Sequence, residues 1–85
     1  MIIEVANYSN GTFFMLLVKN IPISEVRSLV LDTIGMFHAN QVSFSEYQGE
    51  AKGDKGVRIL LPESATTGTG FGRTIAELTK MEELL

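Results

Sequence analysis

Residues 2–19 read IIEVANYSNGTFFMLLVK, and this stretch decides what kind of fold the chain can adopt. Ile2 to Tyr8 alternates as a strand, with Ile3 and Val5 on one face. Asn10-Gly11 is the strongest short hairpin signal, because both residues accept positive φ. Thr12 to Lys19 is then the returning strand. Phe13, Met15 and Leu17 lie on one of its faces and Phe14, Leu16 and Val18 on the other. An antiparallel strand wetted on one side would alternate with polar residues. This one does not, so it reads as central and covered on both sides.

Downstream, Asn20-Ile21-Pro22 breaks the strand. Ser24 is placed as an N-cap, and Glu25 falls in the first turn, where the helix dipole favours an anion. Val26, Leu29, Val30, Ile34 and Phe37 then recur at helical spacing as a buried stripe, with Leu31 off it. The helix is expected to end near Phe37 or His38. Gly35 either weakens its last turn or admits another backbone at close range. Val42 to Tyr47 (VSFSEY) alternates as a third strand, with Val42 and Phe44 inward and Ser43, Ser45 and Tyr47 outward.

Residues 48–56 (QGEAKGDKG) form a polar, glycine-punctuated loop. Val57 to Leu61 is a fourth strand, with Val57, Ile59 and Leu61 inward and Arg58 outward; Pro62, lacking an N–H, stops it. Thr74 and Glu77 have the T-x-x-E spacing of a capping box and are expected to open the second helix. Ile75, Leu78, Met81 or Glu82, and Leu85 continue it at three- to four-residue spacing. Glu82 and Glu83 oppose the dipole at its end, which should fray unless docked. The expected fold is α+β: a two-layer, four-stranded, mostly antiparallel sheet in ββαββα order with two helices, as one domain over residues 1–85.

The chain has 85 residues, no cysteine and one histidine, which excludes disulfides and thiolate metal sites and leaves no basis for a metal or cofactor centre. Chains of this size bury only about 60% of their unfolded surface and often rely on a disulfide, a metal or a partner subunit. Association is the one device open to this sequence. The net charge of -3 argues against nucleic acid as a partner. The start MIIEVANY lacks the basic and long apolar regions of a secretory signal, and the run Phe13–Val18 is too short to span a bilayer, so a cytoplasmic protein is expected.

Catalytic groups are sparse. A serine hydrolase would need His38 beside a serine such as Ser43 or Ser45, yet no G-x-S-x-G turn occurs. Glu46, Glu50, Glu63 and Glu77 supply carboxylates without a spacing that singles out a pair. The expectation is therefore a non-enzymatic module that forms a homodimer and binds or inhibits a protein partner. Phe14, Leu16 and Val18, with Leu31, are the expected interface residues.

The stretch ATTGTGFGRTIAELTK, residues 65–80, carries the alternative. A phosphate cradle needs glycines that let backbone N–H groups approach an anion, followed by a helix N-terminus. Gly68, Gly70 and Gly72 could supply the first, while Arg73 and Thr74 could add a guanidinium and a hydroxyl to hold a nucleotide or another phosphate-containing small molecule. Gly68 to Gly72 is one residue short of a Walker A spacing, and G-x-G-x-G is not the dinucleotide fingerprint. Phe71 either plugs the second helix locally or stacks on a ligand or partner. Arg58, Arg73, Tyr47 and Phe71 could together form an aromatic-arginine site if the loop folds back over the second hairpin.

Overall fold

The computed structural model describes residues 1–48 and 55–84, without the side chains of Met36 and Phe37. Its elements are β1 (Ile2–Tyr8), β2 (Gly11–Lys19), α1 (Ile23–Ile34), β3 (Ser43–Gln48), β4 (Lys55–Pro62) and α2 (Phe71–Glu83). Short 3₁₀ turns occupy Met36–Gln41 and Glu63–Thr66. The four strands form one antiparallel sheet in the order β1-β2-β4-β3. Of the polar loop expected at residues 48–56, Gln48 closes β3 and Lys55 and Gly56 open β4, while residues 49–54, like Leu85 of the second helix's stripe, lie outside the described residues.

Cross-strand pairing sorts the side chains into two faces. Leu16 pairs with Ile59 and Val18 with Val57, while Phe44 meets Ile59 from the other side. Leu16, Val18, Val57, Ile59 and Leu61 are all buried, together with Val26, Val30 and Ile34 of α1 and Leu78 of α2. Both helices therefore pack on this one face. α1 lies toward β3, with the Arg27 guanidinium 5.5 Å from the centre of the Phe44 ring. α2 lies along β2: Phe71 at its start stacks on Phe14, and Glu82 near its end reaches Lys19. Burying the largest of these side chains is worth roughly 1.5–3 kcal/mol each.

Several local expectations change. Asn10 does not take positive φ; Gly11 alone does, at 129°. α1 begins at Ile23 behind Pro22 with no side-chain cap, so Ser24 is not an N-cap. It ends at Ile34, before Phe37, because Gly35 takes φ 97° and its N–H donates to Leu31 O at 3.0 Å. α2 begins at Phe71, three residues before the expected start, with Gly70 at its N-cap position. Thr74 and Glu77 therefore do not form a capping box. Thr74 is a buried residue inside the helix.

The C-terminal end of α2 is docked. One Glu82 oxygen, Oε1, lies 2.8 Å from the Met1 amino group, and the other, Oε2, accepts from the Lys19 N–H at 3.3 Å. These contacts offset the unfavourable placement of an acid at a helix C-terminus.

Candidate interaction surface

The opposite face of the sheet is built in rows by the same register. Ile2, Leu17, Arg58 and Ser45 form one row; Glu4, Met15, Leu60 and Ser43 the next; Ala6, Phe13 and Pro62 the third. Tyr8 sits beside Phe13, edge-on, with ring centres 5.4 Å apart. The middle of this face is apolar and its β3 side is polar. Every buried hydrophobic side chain of the sheet points the other way, and none of the described helices packs here. Phe13, Met15, Leu17 and Leu60 each keep some contact with solvent although they lie on the two central strands.

β1 extends this surface around the edge of the sheet. Ile2 and Tyr8, on the open face, are 48% and 53% exposed, and Ile3 and Val5, on the helix side, are 47% and 60% exposed. The helix layer does not reach over β1, so the strand is apolar and wet on both faces. The other edge strand, β3, has the sequence SFSEYQ, with serines and Glu46 among its side chains. Natural sheets blunt their edges with such polar and charged residues. β1 carries a single charge, Glu4, and neither lysine nor proline.

The expected interface residues are placed on the other side. Leu16 and Val18 have no exposed surface, and Phe14 packs on the core with its ring 5.8 Å from that of Phe71. Of the two apolar faces of β2, the helices take this one, and the exposed set is Phe13, Met15 and Leu17. Leu31 is partly exposed on α1, beside a shallow groove with Ser28, Asp32 and Gly35.

The glycine-rich loop is tied down by its own residues. Gly68 takes φ 70°, a left-handed turn that favours glycine. Gly70 lies against α1: its N–H donates to Thr33 O at 3.1 Å, and a Cβ there would collide with the same oxygen. Thr66 and Thr69 donate back to Glu63 O and Ala65 O at 2.6 and 2.7 Å. Thr74 bonds to the Thr33 hydroxyl in the buried space between the helices and also donates to Gly70 O at 3.0 Å. Phe71 is the local plug. Gly72 and Arg73 are exposed. Arg58 and Tyr47 are on the open face of the sheet and Phe71 on the helix side, so the four residues of the expected aromatic-arginine site are not brought together.

Two further features complete the surface. A cleft of about 600 Å³ at one end of the sheet is lined by Asn20, Pro22, Glu46, Tyr47 and Lys55. The Tyr47 ring lies against Gly56, which has no side chain to obstruct it. His38 stands in the first 3₁₀ turn, with Nδ1 3.1 Å from Gln41 Oε1. Among the described residues no three acidic or histidine side chains gather as a metal-binding group, and no helix is long and apolar enough to cross a membrane. The chain matches no protein-family model, no curated protein and no solved structure.

Proposed function

We propose that this protein is a small interaction module, not an enzyme, that self-associates and engages a partner protein through the apolar surface of its sheet. The observation that carries this reading is the continuity of that surface. On the open face the half-exposed Ile2 and Tyr8 of β1 adjoin the uncovered side chains of Phe13, Met15, Leu17 and Leu60, and Ile3 and Val5 carry the apolar surface round the edge to the other side of the strand. Contiguous apolar patches of more than a few hundred Å² are rare on monomers without a binding role. A rim of Ser43, Ser45, Arg58 and Glu4 around an apolar centre also matches the anatomy of protein interfaces.

Sedimentation from the low to the high micromolar range tests self-association. A concentration-dependent dimer is expected, and a monomer throughout overturns it. In-cell cross-linking tests the partner, comparing wild type with Leu17→Asp. The variant should keep the wild-type melting curve and lose the cross-linked partner. A partner retained at wild-type level removes the open face from the proposal.

A further inference from the structure

Resting on the self-association just proposed, we infer that the second copy docks along β1, antiparallel to its twin, with Val5 on the two-fold axis. The backbone is aimed for this. The N–H of Asn20 donates to Lys55 O at 2.9 Å, continuing the β2–β4 ladder one step past Lys19–Gly56. Antiparallel ladders alternate strictly, so the even residues of β2 bond to β4 and the odd ones to β1. The odd residues of β2 pair with the even residues of β1: Gly11 with Tyr8, Phe13 with Ala6, Met15 with Glu4, Leu17 with Ile2. Ile3, Val5 and Asn7 thus turn their N–H and C=O groups outward, along an edge where the described sheet has no further strand.

A second copy of β1 satisfies those groups in one preferred register. Two-fold pairing requires the outward-facing odd residues to meet each other. Centring on Val5 opposes Val5 to itself, Ile3 to Asn7 and Ile2 to Tyr8, and uses the whole seven-residue strand. It also sets Glu4 against Ala6. Slipping the centre to Glu4 would bring two like charges directly opposite, which is unfavourable, and slipping it to Ala6 shortens the paired segment. The Val5-centred pairing gives a β-branched–aromatic pair, Ile2 with Tyr8, on each side of the axis, a favourable cross-strand combination.

The four half-exposed side chains of β1, two on each face of the strand, together present on the order of 400 Å² per protomer along this edge. With the strand backbone added, the contact stands at the small end of specific interfaces, which fits a reversible dimer of micromolar affinity. The dimer joins two four-stranded sheets into one and doubles the open apolar face, so edge and face serve different partners: the edge takes the twin, and the face takes the partner protein.

The chain has no cysteine, so single-cysteine variants read the register directly. In a hydrogen-bonded pair the Cα atoms stand about 5.5 Å apart, within disulfide range. Under mild oxidation Val5→Cys should cross-link to itself at least tenfold faster than Glu4→Cys, Ala6→Cys or Met15→Cys alone, and a mixture of Glu4→Cys with Ala6→Cys should give the mixed dimer. Faster self-linkage at position 4 or 6 overturns the register, and faster linkage at position 15 overturns the edge in favour of face-to-face packing. Val5→Pro provides the second arm. It removes an outward N–H without touching the β1–β2 ladder, so it should stay folded by circular dichroism and weaken association at least tenfold. A wild type that never dimerises defeats the self-association reading itself, whereas a dimer indifferent to Val5→Pro defeats only the β1 edge.

Discussion

Gly70 and Thr33 bring the two helices into backbone contact: the Gly70 N–H donates to the Thr33 carbonyl at 3.1 Å, so the start of α2 satisfies a carbonyl in the last turn of α1. No side chain fits between them, because a Cβ on residue 70 would overlap that carbonyl. Gly70→Ala should therefore push the helices apart and destabilise the fold by about 2 kcal/mol, in the range of other overpacking substitutions. Urea denaturation measures it. A loss below about 0.5 kcal/mol would mean that the helix junction yields freely.

Thr33 and Thr74 are the two buried polar side chains among the described residues, and their hydroxyls meet. Thr74 donates onward to Gly70 O at 3.0 Å, so Thr33 donates the bond between the two hydroxyls, with Leu29 O, 3.0 Å away, as its alternative acceptor. Replacing either threonine by valine keeps the shape, removes the bond between the hydroxyls and leaves the remaining one only its backbone carbonyl. Each single change should cost about 1–2 kcal/mol, and the double change should cost less than the two together by about 1 kcal/mol. A double-mutant cycle in chemical denaturation gives the coupling; additivity would show that the pair contributes nothing as a pair.

The stacked rings of Phe71 and Phe14 make a similar claim about the loop before α2. Phe71 is only partly buried, so Phe71→Ala should cost about 2 kcal/mol, below the 3–5 kcal/mol of a fully buried phenylalanine, and Phe71→Leu should recover much of it. Thermal unfolding of the three proteins tests this order. An alanine variant as stable as wild type would free the ring for a role outside its own fold.

Gly72 is the glycine of this loop with no structural duty on display. It lies in the first turn of α2, exposed, without positive φ and with open space where a Cβ would go. Gly72→Ala should stabilise the protein by roughly 0.5–1 kcal/mol through the lower entropy of the unfolded chain. The gain is read as a higher urea midpoint at unchanged slope. A destabilised variant would reveal a contact at that position absent from this fold.

The strands and their order along the chain could be read from alternation, because Val57, Ile59 and Leu61 against Arg58 leave little choice of inner face. β2 could not be oriented in the same way. Phe13, Met15 and Leu17 are as apolar as Phe14, Leu16 and Val18, and what separates them is the pairing of Leu16 with Ile59 and Val18 with Val57, a long-range register that no local pattern encodes. The start of α2 was hidden for a related reason. Thr74 has the spacing of a cap, but Thr33, forty-one positions earlier, holds it inside the helix. The edge position of β1, which exposes Ile3 and Val5, likewise depends on the β2–β4 pairing and not on β1 itself.

The strand order β1-β2-β4-β3 also imposes a sequence of events on folding. The β1–β2 hairpin closes across two residues and can form within microseconds. The central seam, which joins Lys19 to Gly56 and Phe13 to Pro62, must wait for α1 and β3 to be brought round, and closing so long a loop costs entropy before any contact is returned. Until then β2 carries its apolar residues on both faces beside an open flank. The nascent chain is most prone to aggregate in that interval, and faster closure of the β2–β4 seam would protect it without altering a single contact of the finished fold.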